Sequence, residues 1–252
     1  MSKLIRNIAI IKPVATEVIK KPIGIILLSA GMSNRMKSKG SRSLIEINEE
    51  ETLVNYQIRI LERNFTNIQK QIILVGGHDA DKVFNRVSDK IIKVENELFE
   101  TTNMVRSLNI ALRVCLYDRI FIIPGDLVFN SQIFEQEFAD KSIVLLEKTD
   151  KVNEDTIGCT INQKGKLELL MYNLQNTWQG ITYLTGKELS FARHYCSKPT
   201  NKNKNLMECV NYIVSKGGNI YPSINNKNKS LDIDTYKDII EAKKYYESNN
   251  YK

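Results

Sequence analysis

The sequence has few of the residues on which disulfide, thiolate-metal or histidine chemistry depends. It contains four cysteines, Cys115, Cys159, Cys196 and Cys209. They are far apart and form no CxxC pair, which argues against a zinc site and a disulfide framework and favours reduced structural thiols in a cytoplasmic compartment. The two histidines, His78 and His194, fall in a turn and in a helical pattern. Chemistry in this chain is therefore expected to depend on carboxylates, on lysine or arginine, and on a metal ion.

Long apolar runs are also absent. No stretch approaches the roughly 20 apolar residues of a membrane span, and residues 1–22 are charged throughout, unlike a secretory signal. A hydrophobic fraction of 42% and a charged fraction of 26% are ordinary for a globular chain of 252 residues. The net charge of +7 leaves three classes of anionic partner open, namely nucleic acid, phosphometabolite and nucleotide.

Buried strands alternate with helical patterns in the first half of the chain. The predicted strands are Ile23–Leu28, Gln71–Val75, Ile91–Val94 and Arg119–Ile123. The predicted helices are Leu53–Asn64 with Thr52 as N-cap, Asp79–Val87 and Ser107–Val114. This alternation is typical of βαβ units and a mostly parallel sheet.

The second half changes character. Four strand-like segments follow one another without a long helix, namely Ile143–Leu146, Thr156–Ile161, Leu167–Tyr172 and Gly180–Leu184. They predict a small antiparallel or mixed lobe on the parallel core. Helices at Gly186–Tyr195, at Leu206–Ser215 and from Thr235 to about Glu247, and strands near Ile220 and at Leu231–Asp234, complete the pattern.

The most informative segment is the loop that follows the first strand. It reads LLSAGMSNRMKSKGSRSLIEI over Leu27–Ile47. Small residues let backbone N–H groups approach an anion, and Arg35 adds a cation. The loop is neither a dinucleotide-binding G-x-G-x-x-G nor a P-loop. An ordinary turn with surface charges is the alternative.

Three carboxylates follow predicted strands. Asp126 comes at the carboxyl end of a buried strand, where open α/β sheets bind ligands. Asp232 and Asp234 are two residues apart, so a regular strand would point both to the same face. One or two carboxylates together with substrate phosphates suit Mg²⁺. The alternatives are a turn residue for Asp126 and a helix N-cap for Asp234.

Together these segments resemble the nucleotidyltransferase family that joins an NTP to a phosphorylated small molecule. Residues 28–36, LSAGMSNRM, are similar to its signature loop L-A-A-G-x-G-x-R-[ML], with Ser33 in place of the second glycine. Arg42 stands where the family has the lysine of a Pro-Lys pair. Residues 101–108, TTNMVRSL, and the ending LDIDT with Asp238 resemble the phosphocholine cytidylyltransferase branch, as does Gly180–Tyr183.

The resemblance covers roughly residues 23–247 and implies a fold and a site. The fold is a Rossmann-like, mostly parallel mixed sheet flanked by helices, with a small antiparallel lobe that binds the acceptor. Residues 23–252 would form one domain, and residues 1–22 an extension of unknown role, either an extra strand at Leu4–Ile11 or an interaction arm. The implied phosphate-binding residues are Ser29, Ala30, Gly31, Met32, Ser33 and Asn34.

The resemblance also implies roles in catalysis. Arg35 and Arg42 would offset charge on the leaving pyrophosphate, and Asp126 with Asp234 would hold Mg²⁺, with Asp232 as a further ligand. Asn103 and Ser107 are the candidates for reading the base. An oxygen of the phosphorylated acceptor would attack the α-phosphate of the NTP, with CTP as the expected donor.

The acceptor is less well specified by the sequence. Choline recognition needs aromatic faces around a quaternary ammonium, but the family's tryptophan falls at about Ile157 here. The single tryptophan, Trp178, is the substitute candidate, together with Tyr172 or Tyr183. Lys148 is a candidate for the acceptor phosphate.

Other functions stay open at this stage. They are a sugar-1-phosphate nucleotidylyltransferase, a non-catalytic nucleotide-binding relative and, least favoured because the basic residues are dispersed, a nucleic-acid-binding protein. The oligomeric state is also open, with a homodimer as one alternative.

Overall fold

The computed structural model describes residues 21–32, 40–134, 138, 140–148, 154, 156–224 and 230–250, without the side chains of residues 249 and 250. Ser33, Asn34, Arg35 and the predicted strand at Leu4–Ile11 lie outside the described residues, so those predictions and the boundary after residue 22 stay predictions. Among the described residues, no helix is long and apolar enough to cross a membrane.

The described strands are β1 Ile23–Leu28, β2 Lys70–Gly76, β3 Ile92–Glu95, β4 Arg119–Pro124, β5 Leu127–Phe129, β6 Ser142–Glu147, β7 Ile157–Ile161, β8 Leu167–Tyr172, β9 Thr177–Thr185, β10 Ile220–Ile224 and β11 Ser230–Asp232. The described α-helices are α1 Leu53–Asn64, α2 Ala80–Phe84, α3 Met104–Val114, α4 Gly186–Ser197, α5 Leu206–Ser215 and α6 Tyr236–Asn250.

Seven strands form one sheet in the order β10-β6-β9-β4-β1-β2-β3. All neighbours pair in parallel except β9, which is antiparallel to both β4 and β6. The continuous apolar runs of β1, β2 and β4 are explained by their position inside this sheet, because both of their faces are covered. The predicted fold class, a mostly parallel mixed sheet with flanking helices and small antiparallel sheets, is confirmed.

Two hydrophobic cores cover the two faces of the sheet. One lies under α1, α2 and α6 and includes Tyr56, Phe121 and Ile239. The other lies under α3, α4 and α5 and includes Leu108 and Cys209. Successive side chains of the central strands therefore point into different cores. Packing on both faces of the sheet positions its carboxyl edge.

Several predicted boundaries need correction. Of the four segments assigned to the antiparallel lobe, only β7 and β8 form a separate two-stranded sheet, because β9 is almost wholly buried and pairs within the large sheet beside β6. The helix predicted for Asp79–Val87 is only Ala80–Phe84. The final strand ends at Asp232, and the short β5, which pairs with it, was not predicted. Thr52 occupies the N-cap of α1, but its side chain makes no capping hydrogen bond.

Candidate active site

The site is built where β1 and β4, neighbours in the sheet, end. The Gly125 N–H donates to the carbonyl oxygen of Leu28 at 2.9 Å, and a Cβ added at Gly125 would lie 2.1 Å from Ser29 Oγ. Only glycine permits this close approach of the two strand ends. Asp126, the next residue, is thereby fixed beside the loop that begins at Ser29.

The carboxyl-terminal carboxylates reach the same place through a second, small sheet. β11 pairs antiparallel with β5, so that Asp232 lies opposite Leu127, and the Ile233 N–H donates to the Asp126 carbonyl oxygen at 3.0 Å. The side chain of Asp238 accepts from the backbone N–H of Asp234 at 3.0 Å and from that of Thr235 at 2.7 Å. Asp238 thus supplies the acceptor for the N–H groups ahead of α6, and Asp234 is left to face the cleft.

Arg42 connects the two carboxylates. Its Nη2 lies 2.8 Å from Asp126 Oδ2 and its Nη1 lies 2.7 Å from Asp234 Oδ1. Nη1 also donates to the carbonyl oxygen of Ile233 at 3.3 Å. The planar guanidinium, with donors on separate nitrogens, suits such a bridge, whereas a lysine ammonium is a single point of charge.

The carboxylates of Asp126, Asp232 and Asp234 influence one another and the guanidinium of Arg42 electrostatically. Burial raises the pKa of Asp126, opposed by the charge of Arg42 and reinforced by that of Asp234. Asp232 keeps solvent access, but the cleft walls remove part of its hydration, and this with the charges of Asp126 and Asp234 raises the pKa of Asp232 to about 7. Burial and the mutual repulsion of the carboxylates thus act in the same direction on these pKa values, and the charge of Arg42 opposes them.

Asp79 holds the far end of the loop that follows β1, a role that was not predicted from the sequence. Its backbone is left-handed, with φ of 55°. Its carboxylate accepts from the Ser41 N–H at 3.1 Å and pairs with Lys82 at 2.8 Å. The residue that follows Ser41 is Arg42, so Asp79 positions the guanidinium from outside the cleft. The αL tendency of aspartate was the only available sequence signal.

A small polar cavity lies between the loop and Asp126, lined by Ser29, Gly31, Ser41 and Arg42. Within the described part of the chain, Ser29 Oγ and Ser41 Oγ are buried without a hydrogen-bond partner. Buried hydroxyls of this kind normally bond to something, and a phosphate oxygen would satisfy them. Two further residues predicted to bind phosphate lie nearby. The Ala30 carbonyl oxygen accepts from the His78 N–H at 3.2 Å. The side chain of Met32 is exposed.

A second cavity beside β1 contains both residues predicted to read the base. Asn103 and Ser107 line it with Ala30 and Asn96. Asn103 Oδ1 accepts the Met104 N–H at 2.8 Å as the N-cap of α3, so its side chain is already engaged. Asn96, which was not predicted, is 1% exposed, and its Nδ2 donates at 3.1 Å to Ser107 Oγ and to Thr102 Oγ1. Asn96 therefore orients the wall of this cavity.

A third cavity, of about 490 Å³, opens from the carboxylates toward the β7–β8 hairpin. Its acidic lining residues are Asp126, Glu147, Asp232 and Asp234, and its aromatic ones are Tyr172 and Trp178. Trp178 is 8% exposed, and its Nε1 donates to the Ile181 carbonyl oxygen at 3.4 Å. Tyr183 is buried in the core instead, and Lys148 is exposed after β6 and does not line this cavity.

The donor set at Asp126 and Asp234 suits a hard cation. Among the described residues, no three His, Cys, Asp or Glu side chains are grouped as a metal site. A pair of carboxylates nevertheless matches Mg²⁺, which takes one or two protein carboxylates and completes its shell with substrate phosphates and water. Carboxylate oxygens are the ligands that fit this ion, and the guanidinium of Arg42 contacts both carboxylates.

A cleft at the carboxyl edge of a parallel sheet, with carboxylates, an arginine and buried hydroxyls, defines a nucleotide-binding α/β enzyme. Residues 25–155, just over half of the chain, match the MobA-like NTP transferase domain. The protein belongs to that family and is a nucleotidyltransferase, as the sequence motifs predicted. No curated protein matches its sequence.

Solved structures share the fold at low sequence identity. The CTP:phosphocholine cytidylyltransferase of Streptococcus pneumoniae is 17% identical with a TM-score of 0.67, covering 89% of this chain and 99% of that one. The inositol-1-phosphate CTP transferase of T. maritima is 18% identical with a TM-score of 0.69, covering 88% and 94%. A nucleoside-diphosphate-sugar pyrophosphorylase of Vibrio cholerae is 14% identical with a TM-score of 0.66, covering 88% and 99%.

Proposed function

We propose that the protein transfers a nucleotidyl group from CTP to a phosphorylated alcohol that carries a cationic group, such as phosphocholine, and that Mg²⁺ is required. The observation that carries this proposal is the single cavity that joins the carboxylates Asp126 and Asp234 to an acidic and aromatic wall at Glu147, Tyr172 and Trp178. A quaternary ammonium is attracted to aromatic faces and to a nearby carboxylate. A neutral sugar can stack on the rings and hydrogen-bond to the carboxylate, but it has no positive charge for the wall to attract.

The reaction requires positioning and charge neutralisation rather than a nucleophilic side chain. An oxygen of the acceptor phosphate attacks the α-phosphorus in line, the bond from that phosphorus to the bridging oxygen breaks, and pyrophosphate leaves. Ser29, Ala30 and Gly31 bind the phosphates, with Arg35 on the same loop, and Ser107 with Asn96 contacts the base. Asp126 and Asp234 hold Mg²⁺, which neutralises charge on the α-phosphate.

CTP is the proposed donor for two reasons. The base cavity presents a serine hydroxyl oriented by an amide, which suits the polar edge of a small pyrimidine, and two of the similar structures bear the names of CTP-using transferases. We place the reaction in the cytoplasm, and the enzyme acts as a monomer or homodimer without nucleic acid.

The decisive test measures Mg²⁺-dependent pyrophosphate release for the four NTPs against phosphocholine, phosphoethanolamine and glucose 1-phosphate. We expect release with CTP and phosphocholine, and loss of at least about a hundredfold in kcat in Asp126→Asn, since that change removes charge stabilisation in the transition state. Turnover only with glucose 1-phosphate would assign the acceptor to sugar phosphates, and NTP binding without release from any pair would make the protein a non-catalytic relative.

The aromatic wall is tested separately with the exposed Tyr172. Tyr172→Ala should raise KM for phosphocholine about tenfold, as expected for a lost cation–π contact, and leave KM for CTP unchanged. Tyr172→Phe is the matched control, because it keeps the ring face and should keep the wild-type KM.

A further inference from the structure

The contacts of Arg42 with Asp126 and Asp234 affect how a divalent cation can bind to these two carboxylates. One guanidinium contacts Asp126 Oδ2 at 2.8 Å and Asp234 Oδ1 at 2.7 Å. The Arg42 side chain is 20% exposed and that of Asp126 is 21% exposed, so the pair is shielded from much of the solvent. The contact with Asp234 is a charge-assisted hydrogen bond, stronger than a bond between neutral groups, and the contact with Asp126 is an ion pair.

Arg42 is held in place both through the backbone next to it and through its guanidinium. Ser41, just before it, is anchored by Asp79, and Nη1 also donates to the Ile233 carbonyl oxygen at 3.3 Å. Arginine does not lose its proton in proteins. The positive charge between the carboxylates can therefore leave only by movement of the side chain.

A divalent cation bound by both carboxylates needs the place that the guanidinium occupies. Mg²⁺ requires oxygen ligands at about 2.0–2.1 Å in near-octahedral geometry. Asp234 Oδ1 already accepts from Nη1, and Asp126 Oδ2 is already ion-paired with Nη2. A second positive charge a few ångströms from the guanidinium is also repelled in this partly dry cleft.

We propose that Arg42 is the resting counter-cation of the Asp126–Asp234 pair and that the divalent cation must displace it. The inference rests on the proposed function in one respect, the assignment of Asp126 and Asp234 as the metal ligands. The triphosphate then offers the freed guanidinium a new anionic partner, so that metal and nucleotide favour each other's binding although neither binds tightly alone. By linkage the effect is reciprocal.

Binding of Mn²⁺ alone to the nucleotide-free protein, followed by electron paramagnetic resonance, tests the first half of the proposal. The apparent affinity falls by the fraction of molecules in which the site is open, so removal of a bridge that is closed about 90% of the time tightens binding about tenfold. We expect that gain in Arg42→Gln. Arg42→Lys keeps the charge but cannot bridge two carboxylates in the same way, and it should gain several-fold.

Arg42→Lys decides between the bridge and simple charge repulsion. If Arg42→Lys binds Mn²⁺ no more tightly than the wild type, the specific bridge is wrong, whatever Arg42→Gln shows. Circular dichroism and thermal unfolding establish that each variant is folded before it is compared.

The second half is tested with inorganic triphosphate in the presence of EDTA. Asp234→Asn frees one side of the guanidinium and should tighten triphosphate binding several-fold. Asp232→Asn is the comparison, because it changes a neighbouring carboxylate of the same cluster that, within the described residues, forms no ion pair with Arg42. Equal gains in the two variants would mean that only the net charge matters, and would overturn the proposed release of Arg42.

Failure of the inference and failure of the proposed function give different results. If adding Asp126→Asn or Asp234→Asn to Arg42→Gln abolishes its Mn²⁺ binding, the carboxylates are the metal ligands. The role of Arg42 is then decided by comparing the Mn²⁺ affinity of the Arg42 variants with that of the wild type. If these changes do not weaken Mn²⁺ binding, or if no variant binds Mn²⁺, the assignment of the metal site is wrong and the inference falls with it.

Discussion

The carboxylate of Asp79 accepts the backbone N–H of Ser41 at 3.1 Å, across 38 residues of sequence. This contact fixes the end of the loop that follows β1 to the start of α2. A Cβ added at Gly40, where φ is 71°, would lie 2.6 Å from Asp79 Oδ2, so the loop approaches the carboxylate as closely as glycine allows. The positions of Ser41 and Arg42 therefore depend on a residue that does not line the cleft.

Asp79→Ala should destabilise the protein by about 2 kcal/mol, the cost of losing hydrogen bonds to a charged group, and should raise KM for the NTP. Asp79→Asn keeps an acceptor oxygen and tolerates the left-handed backbone, so its loss should be smaller. Urea unfolding and initial rates measure the two effects. Lys82→Ala breaks only the exposed ion pair, and if it costs as much as Asp79→Ala, the contact with Ser41 is not the important one.

Gly125→Ala should destabilise by about 2 kcal/mol, since its Cβ would meet Ser29 Oγ at 2.1 Å and the Leu28 carbonyl oxygen at 2.8 Å. The double variant Gly125→Ala/Ser29→Ala should recover part of the loss, because the shortest of the three clashes, with Ser29 Oγ, is removed. Gly31→Ala, whose nearest contact would be Arg42 Nη2 at 3.8 Å, is the matched control and should leave the melting temperature nearly unchanged.

Glu208 completes the capping box at the start of α5, accepting from the Asn205 N–H at 2.8 Å. Burial opposes its ionisation, but hydrogen bonds from Lys204 and from the Asn205 N–H prevail and lower the pKa of Glu208 below its usual value of 4.5. Because the folded pKa is the lower one, this stabilisation is present above pH 4.5 and is lost as pH falls through the folded pKa.

Glu208→Gln should therefore lower the free energy of unfolding at pH 7 by about 1 kcal/mol and should reduce the difference between pH 7 and pH 3. Unfolding in urea at both pH values measures this. Glu241→Gln on α6, which is exposed, serves as the control. Parallel stability curves for wild type and Glu208→Gln from pH 7 to pH 3 would contradict the assignment.

The four cysteines are free and buried, and burial raises the pKa of Cys159 to about 11. Since the thiolate is the reactive form, none should react with a disulfide reagent such as DTNB in the folded protein, and all four should react in denaturant. Leu116→Cys, at a position that is 81% exposed, provides the positive control. Rapid reaction of a native thiol at neutral pH would show that the fold opens locally.

Local patterns predicted the elements whose chemistry is local. The apolar run of β1 and the helical spacing of α1 and α5 gave the observed bounds. β5 was not predicted because three residues are too few to show a hydrophobic period, and its partner strand β11 lies about 100 residues away. The left-handed backbone of Asp79 delays the start of α2 and was invisible to periodicity.

The site was predictable as a set of residues but not as a set of contacts. Asp126 could be chosen because it follows a strand at the ligand-binding edge, and Asp234 because it shares a predicted strand with Asp232 just before a helix. Their bridge through Arg42 spans 192 residues and depends on the pairing of β11 with β5. Asn96 carries no motif, and its importance comes only from burial beside Ser107.

The antiparallel pairing of β11 with β5 also sets an order of events during synthesis. All seven strands of the large sheet lie before residue 225, and Asp232, Asp234 and the N–H acceptor Asp238 come afterwards. The ribosome therefore adds all seven strands before it adds Asp234, the second carboxylate partner of Arg42. The nascent enzyme acquires its second carboxylate only when residues 230–238 have emerged.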